Sequence, residues 1–531
     1  MSNYDAIVIG SGINGLVAAA VLAGRGWSVA LVEQSAEIGG FIRSEERTLP
    51  GYTHDTFSSW HPLFVTGGAF AELGADLARH GLRYSQSEGN VTASIGADGQ
   101  AVVATRDPSA TAEAFENTRD RSNYLAMIDG FGEMADVIGG LLSSELNDST
   151  LIGKAALTVK RKGRGGTERM LRDVVTSGRG FTRRTFSGWE VDRLWIPWLL
   201  HSGLGPDHAS GGMMLPVFAA TMHGVGLPVV TGGASGFVRA FEGLLRERGV
   251  NIVTSTSVDT IRVKGGVAVG VSTTSVEGGR QELRAARAVL ASVTPEALYG
   301  KLLARTPLPA NVREEAKRYR FGRAAMQIHV ALSEPLCWAD DRLSETPLVH
   351  VSDGSASTGI ACAQAEAGLL PVDPTIVVGQ QFLLDPSRVP EGAGSLWMQL
   401  QELPYKPAGD AGGELETSAG WNDDLARGYV DRVIQRVSRH APDLESKILK
   451  VDILTPHDIE ASNVNAVAGD PYSGAADLDQ NLLWRPIPSA AHHTTAIKGL
   501  WHIGASTHPG PGLGGGSGFI VANRLTGKKK R

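Results

Sequence analysis

The residues Asp5-Ala6-Ile7-Val8-Ile9 form a short apolar strand that runs straight into Gly10-Ser11-Gly12-Ile13-Asn14-Gly15, and a helical pattern follows at once. A second apolar strand ends in Glu33, and Gly39-Gly40 come soon after it. This spacing constrains the fold tightly because each glycine has its own steric task. Gly10 permits the tight turn out of the strand, Gly12 lets the backbone approach a pyrophosphate, and Gly15 lets the helix pack closely on the strand. The helix N-terminus then presents unpaired N–H groups and partial positive charge to the phosphates. Glu33 ends the second strand, where a carboxylate accepts hydrogen bonds from both ribose hydroxyls. That favours an unphosphorylated adenosine ribose, hence FAD or NAD rather than NADP.

A chain of 531 residues exceeds what one core can organise, so two or more domains are expected. The formal charge of −6 argues against nucleic acid as a partner. The two cysteines, Cys337 and Cys362, form no C-x-x-C pair, which excludes a dithiol relay and fits a reducing compartment. No apolar run is long enough for a transmembrane helix, and the chain opens almost directly into the first strand, so no signal peptide is expected. The expected location is the cytoplasm, with peripheral membrane contact left open.

Beyond the βαβ unit, 51–64 is polar and aromatic without a period and reads as a loop over a ligand site. Helical patterns dominate from 69 to about 142, interrupted by two short strands, 91–95 and 101–104, around an Asp98-Gly99 turn. Residues 160–184 are basic, with Lys160, Arg161, Lys162, Arg164, Arg169, Arg172, Arg179, Arg183 and Arg184. They read as a solvated helical face or as a contact for an anionic surface. Segments 195–203 and 213–230 look like helices of an apolar second domain. An amphipathic helix is expected over 237–248, strands over 250–253, 258–263, 267–273 and 289–295, more strands between 321 and 403, and a helix over 421–437. The terminal Lys528-Lys529-Lys530-Arg531 reads as a solvated tail.

Near the other end, a strand over 500–504 leads into Ala505-Ser506-Thr507-His508-Pro509-Gly510-Pro511-Gly512-Leu513-Gly514-Gly515-Gly516, and a helical pattern follows. A glycine loop opening a helix offers N–H donors, which a reduced flavin needs beside its pyrimidine ring. Two glycine-rich helix starts at opposite ends of the chain suit an elongated, two-headed cofactor, so FAD fits better than NAD.

At these residues the chain resembles the phytoene-desaturase-like branch of FAD-dependent oxidoreductases, relatives of carotenoid desaturases and retinol saturase. The resemblance rests on the N-terminal block through Gly40, on Gly232-Gly233-Ala234-Ser235-Gly236-Phe237 with the strands after it, on 289–295, and on the block from Gly504 through the last glycine run. It implies an α/β fold: a discontinuous Rossmann-like FAD-binding domain of the glutathione-reductase type with an inserted α+β substrate domain. The implied division is 1–68, 226–305 and 466–531 for FAD, with 69–225 (mostly helical) and 306–465 (sheet plus helix) for substrate. It further implies that Gly10, Gly12, Ile13, Asn14, Gly15, Glu33, Gln34, Gly39 and Gly40 hold the ADP half. Val258 would contact the adenine side through its backbone, and Gly504, Ala505, Leu513 and Gly514 would lie along the flavin. Many flavoproteins carry an Asp near the start of the last block, where this chain has Ala505. No metal site is expected.

The implied reaction moves hydride between a carbon of an apolar or amphipathic small molecule and the flavin. Histidines beside glycine-rich or aromatic loops are the candidates for a proton-accepting group: His54, His61, His201 and His508, with His508 preferred because its motif runs into the flavin loop. Trp60 and Phe64 line a tunnel for a long apolar substrate or pack in the core. Two alternatives stay open. One is a flavin-dependent amine or amino-acid oxidase, for which Trp421, Trp484 and Trp501 could furnish an aromatic pair. The other is a non-catalytic escort-type protein on the same fold.

Overall fold

A computed structural model describes residues 2–146 and 148–527; the basic tail at 528–531 lies outside the described residues. Two seven-stranded sheets organise it. In the first, Ser2–Ile9 lies between Arg280–Ser292 and Val29–Val32, with Asn251–Val253 beyond the latter, all parallel. Leu500–Ile503 pairs in parallel with the end of Arg280–Ser292, whose start pairs antiparallel with a hairpin of Thr256–Lys264 and Val267–Ser275. Parallel strands covered on both faces need continuous apolar runs, and Ala6 to Ile9, Val29 to Val32 and Ala288 to Ala291 are all buried. The strand expected over 289–295 starts earlier, at Arg280. Its first half carries Gln281, Glu282, Arg284 and Arg287 toward solvent, so no apolar run marks it.

The second sheet runs in the order Ile448–Leu454, Ala324–Leu332, Gly394–Leu403, Ile376–Gly379, Leu348–Val351, Asn90–Ile95, Ala101–Thr105. The helix Asp423–Ser438 covers one face, setting Leu425, Tyr429 and Val433 against Met326, Ile328 and Met398. The opposite face looks toward a helical layer, in which Trp195, Trp198 and Leu215 cluster with Leu348, Val377 and Trp397. A helix over Ser355–Glu366 interrupts the strand-rich stretch, where none is expected from sequence. Its small buried residues, Thr358, Ala361 and Ala365, produce no apolar stripe and are legible only through packing.

A buried ion pair ties the second sheet to the loop over 51–64. Arg388 Nη1 donates to Asp55 Oδ2 at 2.8 Å with both side chains almost fully buried, and its Nη2 donates to the Val230 carbonyl at 2.8 Å. Asp55 Oδ1 accepts the Ala234 N–H at 2.7 Å, so each charge is both paired and hydrogen-bonded. The basic stretch lies on the helix Asp148–Val175, which bends at Gly163 (φ 66°), and on Gly178–Thr185.

Candidate functional site

The first glycine loop separates glycines needed by the protein's own packing from one that is not. A Cβ at Gly15 would lie 2.0 Å from the Gly10 carbonyl oxygen, and one at Gly10 (φ +87°) would lie 3.1 Å from that of Ser292. A Cβ at Gly12 would meet nothing within 4 Å, and its φ of −60° suits any residue. The space above Gly12 is therefore a cradle that a side chain would fill, as a pyrophosphate site requires. Gly40 (φ +61°) closes over it, its Cβ position 3.2 Å from the Gly12 Cα, and Gly39 donates its N–H to Ser11 O at 3.1 Å. The helix Ile13–Gly24 starts without a side-chain cap or an acidic residue in its first turn, leaving its N–H groups for an anion.

Glu33 is held beside this loop. Its Oε2 accepts the Ser11 N–H at 2.8 Å and hydroxyl at 2.7 Å, and its Oε1 accepts the Ser35 N–H at 2.9 Å. Gln34 is exposed next to it. Val258 lies on the strand whose Thr256 donates its N–H to the Glu33 carbonyl at 2.9 Å, so that strand borders the same end of the site.

The second glycine loop comes back to the first. The helix Gly516–Thr526 also begins without a side-chain cap, and Gly518 donates its N–H to Asn14 Oδ1 at 3.2 Å. A Cβ at Gly518 would fall 1.9 Å from the Asn14 carbonyl oxygen, so the two helix starts touch backbone to backbone. Gly504 (φ +112°) packs on Ser292, its Cβ position 3.1 Å from Ser292 Oγ. Ala505 and Leu513 line the same cavity as Gly12, Asn14 and Gly40, whereas Gly514 lies behind that wall against the Leu63 carbonyl. The Ala505 carbonyl accepts from Arg485 Nε at 3.2 Å and Nη2 at 2.8 Å. Arg485 is fully buried behind this loop, and its charge also acts on the buried Asp470 carboxyl.

From the glycine loops the cavity continues between the second sheet and the helical layer. Phe57 and Trp60 also line it. Met214, Phe218 and Met222 of the helix Gly211–Val225 form one side, and Trp397, Gln399 and Gln401 form the other. Among the described residues that line it, none is Asp, Glu, Lys or Arg.

Of the four candidate histidines, only His201 lines this cavity. Its Nε2 lies 3.1 Å from that of His350, one imidazole donating to the other, and Trp198 stacks on it at 4.5 Å. Burial pushes His201 down to about 3, so it is neutral near pH 7. His508, the preferred candidate, is placed elsewhere: its Nε2 is 2.9 Å from the Leu141 carbonyl, and its own carbonyl is 2.8 Å from His493 Nε2. The imidazole next to the second glycine loop ties the helix Ala135–Leu142 to that loop from outside the cavity, with burial pushing it down to about 4. His54 meets Thr48 Oγ1 at 2.8 Å and His61 meets Tyr84 Oη at 2.9 Å, also away from the cavity wall. Phe64 packs with Phe237 and Phe241 in the core, unlike Trp60. Trp421 donates to the Pro404 carbonyl, Trp484 is exposed, and Trp501 lies under Arg524, so none of the three furnishes an aromatic pair in the cavity.

Sequence reasoning passes over Gln327, Gln399, Gln401 and Trp397. The signal is present as alternation: Trp397, Gln399 and Gln401 occupy one face of a strand whose other face, Met398 and Leu400, is core. Polar residues recurring with period two in a central strand normally face water; here they face the cavity.

Residues 8–73 match the family model for an NAD(P)-binding Rossmann-like domain. Over nearly its whole length the chain is similar to several curated proteins. A mouse pyridine nucleotide-disulfide oxidoreductase domain-containing protein 2 is 25% identical, covering 98% of this chain and 93% of that protein. A limonene dehydrogenase component of Castellaniella defragrans is 24% identical, covering 98% and 94%. The 4,4'-diapolycopene oxygenase of a Methylomonas species is 23% identical, covering 96% and 95%. Among solved structures, an oxidoreductase from Methanosarcina mazei superposes with TM-score 0.62 at 14% identity, covering 98% of this chain and 99% of that one. Putrescine oxidase bound to putrescine gives TM-score 0.61 at 15% identity, covering 99% and 98%. The two structures share the fold: a Rossmann-like α/β architecture with an inserted sheet domain.

Proposed function

We propose that this chain, as a phytoene-desaturase-like FAD-dependent oxidoreductase, is a dehydrogenase or desaturase whose two glycine loops hold FAD at one end of an uncharged cavity that receives an apolar or amphipathic molecule. The observation that carries this reading is the continuity of the cradle above Gly12 with the aromatic cavity between Trp397 and Phe218. FAD, when bound, takes up hydride from a substrate carbon. In this reading Gly10, Gly12, Ile13, Asn14, Gly15, Gly39 and Gly40 receive the pyrophosphate side, Glu33 and Gln34 the ribose, and Val258 the adenine side. Gly504, Ala505 and Leu513 border the flavin, with Gly514 supporting the loop from behind. The uncapped helix start at Gly516 and the buried Arg485 charge favour negative charge near Ala505. Trp60, Trp198 and Trp397 exclude water from the place where hydrogen leaves the substrate. The segments 1–68, 226–305 and 466–531 are assigned to the FAD domain and 69–225 and 306–465 to the substrate domain, an assignment supported by which strands enter which sheet.

The test is anaerobic bleaching of the purified yellow protein against a panel of polyenes, hydroxylated lipids and amines. Bleaching by polyenes or hydroxylated lipids is expected. Bleaching by amines alone would move the protein to the amine-oxidase reading, against which stands the lack of any carboxylate, among the described lining residues, to pair with an ammonium. A colourless protein would return the escort reading.

A cytoplasmic protein working at a membrane face is part of the same proposal. No helix among the described residues is long and apolar enough to cross a membrane. Exposed Leu171 and Val175 stand beside Arg164 and Arg172 on the helix Asp148–Val175, a pairing of apolar and basic groups that suits an anionic bilayer. Co-sedimentation with phosphatidylserine vesicles, weakened by salt and absent with phosphatidylcholine alone, is the expected result.

A further inference from the structure

One loop of the second sheet's domain reaches the cofactor cradle. The strand Ile448–Leu454 leads into the helix Pro456–Ser462, which starts in a Thr455–Asp458 capping box, and the chain then turns at Asn463. Asn463 Oδ1 accepts the Asn465 N–H at 3.0 Å, and the Asn463 carbonyl accepts the Ala466 N–H at 2.8 Å. Asn465 Nδ2 in turn donates to the Ser292 carbonyl at 3.1 Å, the same carbonyl that crowds Gly10. The loop is thereby fixed to the end of the strand Arg280–Ser292, beside the first glycine turn. Gly12, Gly40, Asn463 and Asn465 line one cavity. Asn463 Nδ2 lies 3.8 Å from the Cβ position of Gly40, and the Gly12 nitrogen lies 3.8 Å from that same point. Neither N–H group has an acceptor among the described residues. Asn463 is half-buried, and its Nδ2 keeps open surface where the side chain lines the cavity.

The turn at Asn463 explains only half of its amide. An oxygen is all that the Asn465 N–H needs, and Ser or Asp would supply it as well. That bond also fixes the amide's orientation, since turning it over would set two donors against each other. The NH2 group is what asparagine adds, and it stands with the Gly12 N–H on either side of one spot beside Gly40. A pyrophosphate placed there carries negative charge, yet none of the described lining residues is Lys or Arg. Its oxygens are met by neutral N–H donors, each strengthened by the ligand's own charge. We propose that Asn463 is a cofactor-binding residue supplied by the substrate domain, its Nδ2 donating to a pyrophosphate oxygen of the FAD beside the Gly12 N–H. The inference rests on the reading of the two glycine loops as the FAD site. A side-chain donor from the other domain thus adds to a cradle otherwise made of backbone. Flavin loading and the joint between the two sheets become coupled through this loop.

The experiment compares the flavin-loaded wild-type protein with Asn463→Ser and Asn463→Asp. Both replacements keep an oxygen for the Asn465 N–H and remove the donor, and Asp adds a negative charge. Equilibrium dialysis is expected to give an FAD dissociation constant about tenfold higher for Asn463→Ser and about 30-fold or more higher for Asn463→Asp. Phosphorus NMR of the bound FAD supplies a readout that a merely structural loop would leave alone. A pyrophosphate resonance should move in Asn463→Ser while the visible flavin spectrum stays as in wild type. Should Asn463→Asp fail to fold, Asn463→Ser carries the comparison. Should both fail, hydrogen exchange in the wild type decides: the 463–466 amides are expected to exchange at least about fivefold more slowly with FAD bound than after its removal. FAD affinity within about twofold of wild type in the folded variants, unmoved phosphorus resonances, or exchange indifferent to FAD would each overturn this role while leaving the flavoprotein reading intact. A wild-type protein that holds no FAD and takes up none on dialysis would instead overturn that reading and this inference with it.

Discussion

The cofactor cradle and the cavity it opens into are built from opposite materials. The cradle is made of backbone: Gly12 above an open space, Gly15 against the Gly10 carbonyl, and Gly518 against that of Asn14. The cavity is made of side chains delivered by elements far apart in the chain: Trp198, Phe218, Gln327, Gln401 and Tyr472. Backbone recognises a group common to many ligands, a pyrophosphate, and needs only that side chains stay out of the way. Side chains recognise what is particular to one ligand, and need a tertiary structure to bring them together.

The sharpest way to break this comparison lies within the cradle. Gly12→Val should fold normally yet lose flavin affinity by about 100-fold or more, because valine fills space the protein itself leaves open. Gly15→Ala should instead lower stability by about 1–3 kcal/mol or more, because its Cβ falls on the Gly10 carbonyl. Flavin content after gel filtration and a urea unfolding curve separate the two; a Gly12→Val protein that keeps its flavin would show the cradle misplaced.

Next in size is the clamp that holds the two regions together. Arg388→Met leaves Asp55 buried without its partner and should cost about 3–5 kcal/mol. Denaturation of the flavin-loaded protein would read this loss, and an unchanged midpoint would mean that the cavity side does not depend on that pair.

A pH series of comparable size tests whether the buried histidines respond together. Burial pushes His61, His502 and His508 each down to about 4 from 6.5. Between those values the unfolded chain binds protons that the folded one refuses, so stability is full above about pH 6.5 and declines as pH falls toward 4. The slope approaches about 1.4 kcal/mol per pH unit for each histidine and vanishes below the folded values. Urea midpoints at pH 7, 6 and 5 measure it, and a flat series would contradict the burial of these rings. Smallest of all is His508→Gln, whose amide can still meet the Leu141 carbonyl. A turnover change under about twofold is expected, whereas a general base at this position would cost about 100-fold or more.

How much was legible follows from the same contrast. Glu33 at its strand end, Gly39-Gly40 and the loop after Gly504 could be read because glycine's lack of a Cβ has consequences visible one residue at a time. The strand starting at Arg280 and the helix Ser355–Glu366 were missed because solvent-facing alternation and small-residue packing leave no apolar run or stripe. His508 was preferred for its proximity in sequence to the flavin loop. Its ring is turned to Leu141, while His201, more than three hundred positions away, lines the cavity.

By itself the sequence determined the Rossmann-like class and the glycine-rich helix starts at both ends of the chain, since these depend on backbone freedom at named positions. Tertiary structure alone decided that Asn14 and Gly518 meet, that Asp55 and Arg388 join the two regions, and that Gln327, Gln401, Trp198 and Trp397 line one uncharged cavity. The reason is physical: a glycine's conformational range is a property of one residue, whereas a cavity wall is a property of register and packing among strands that no local pattern records.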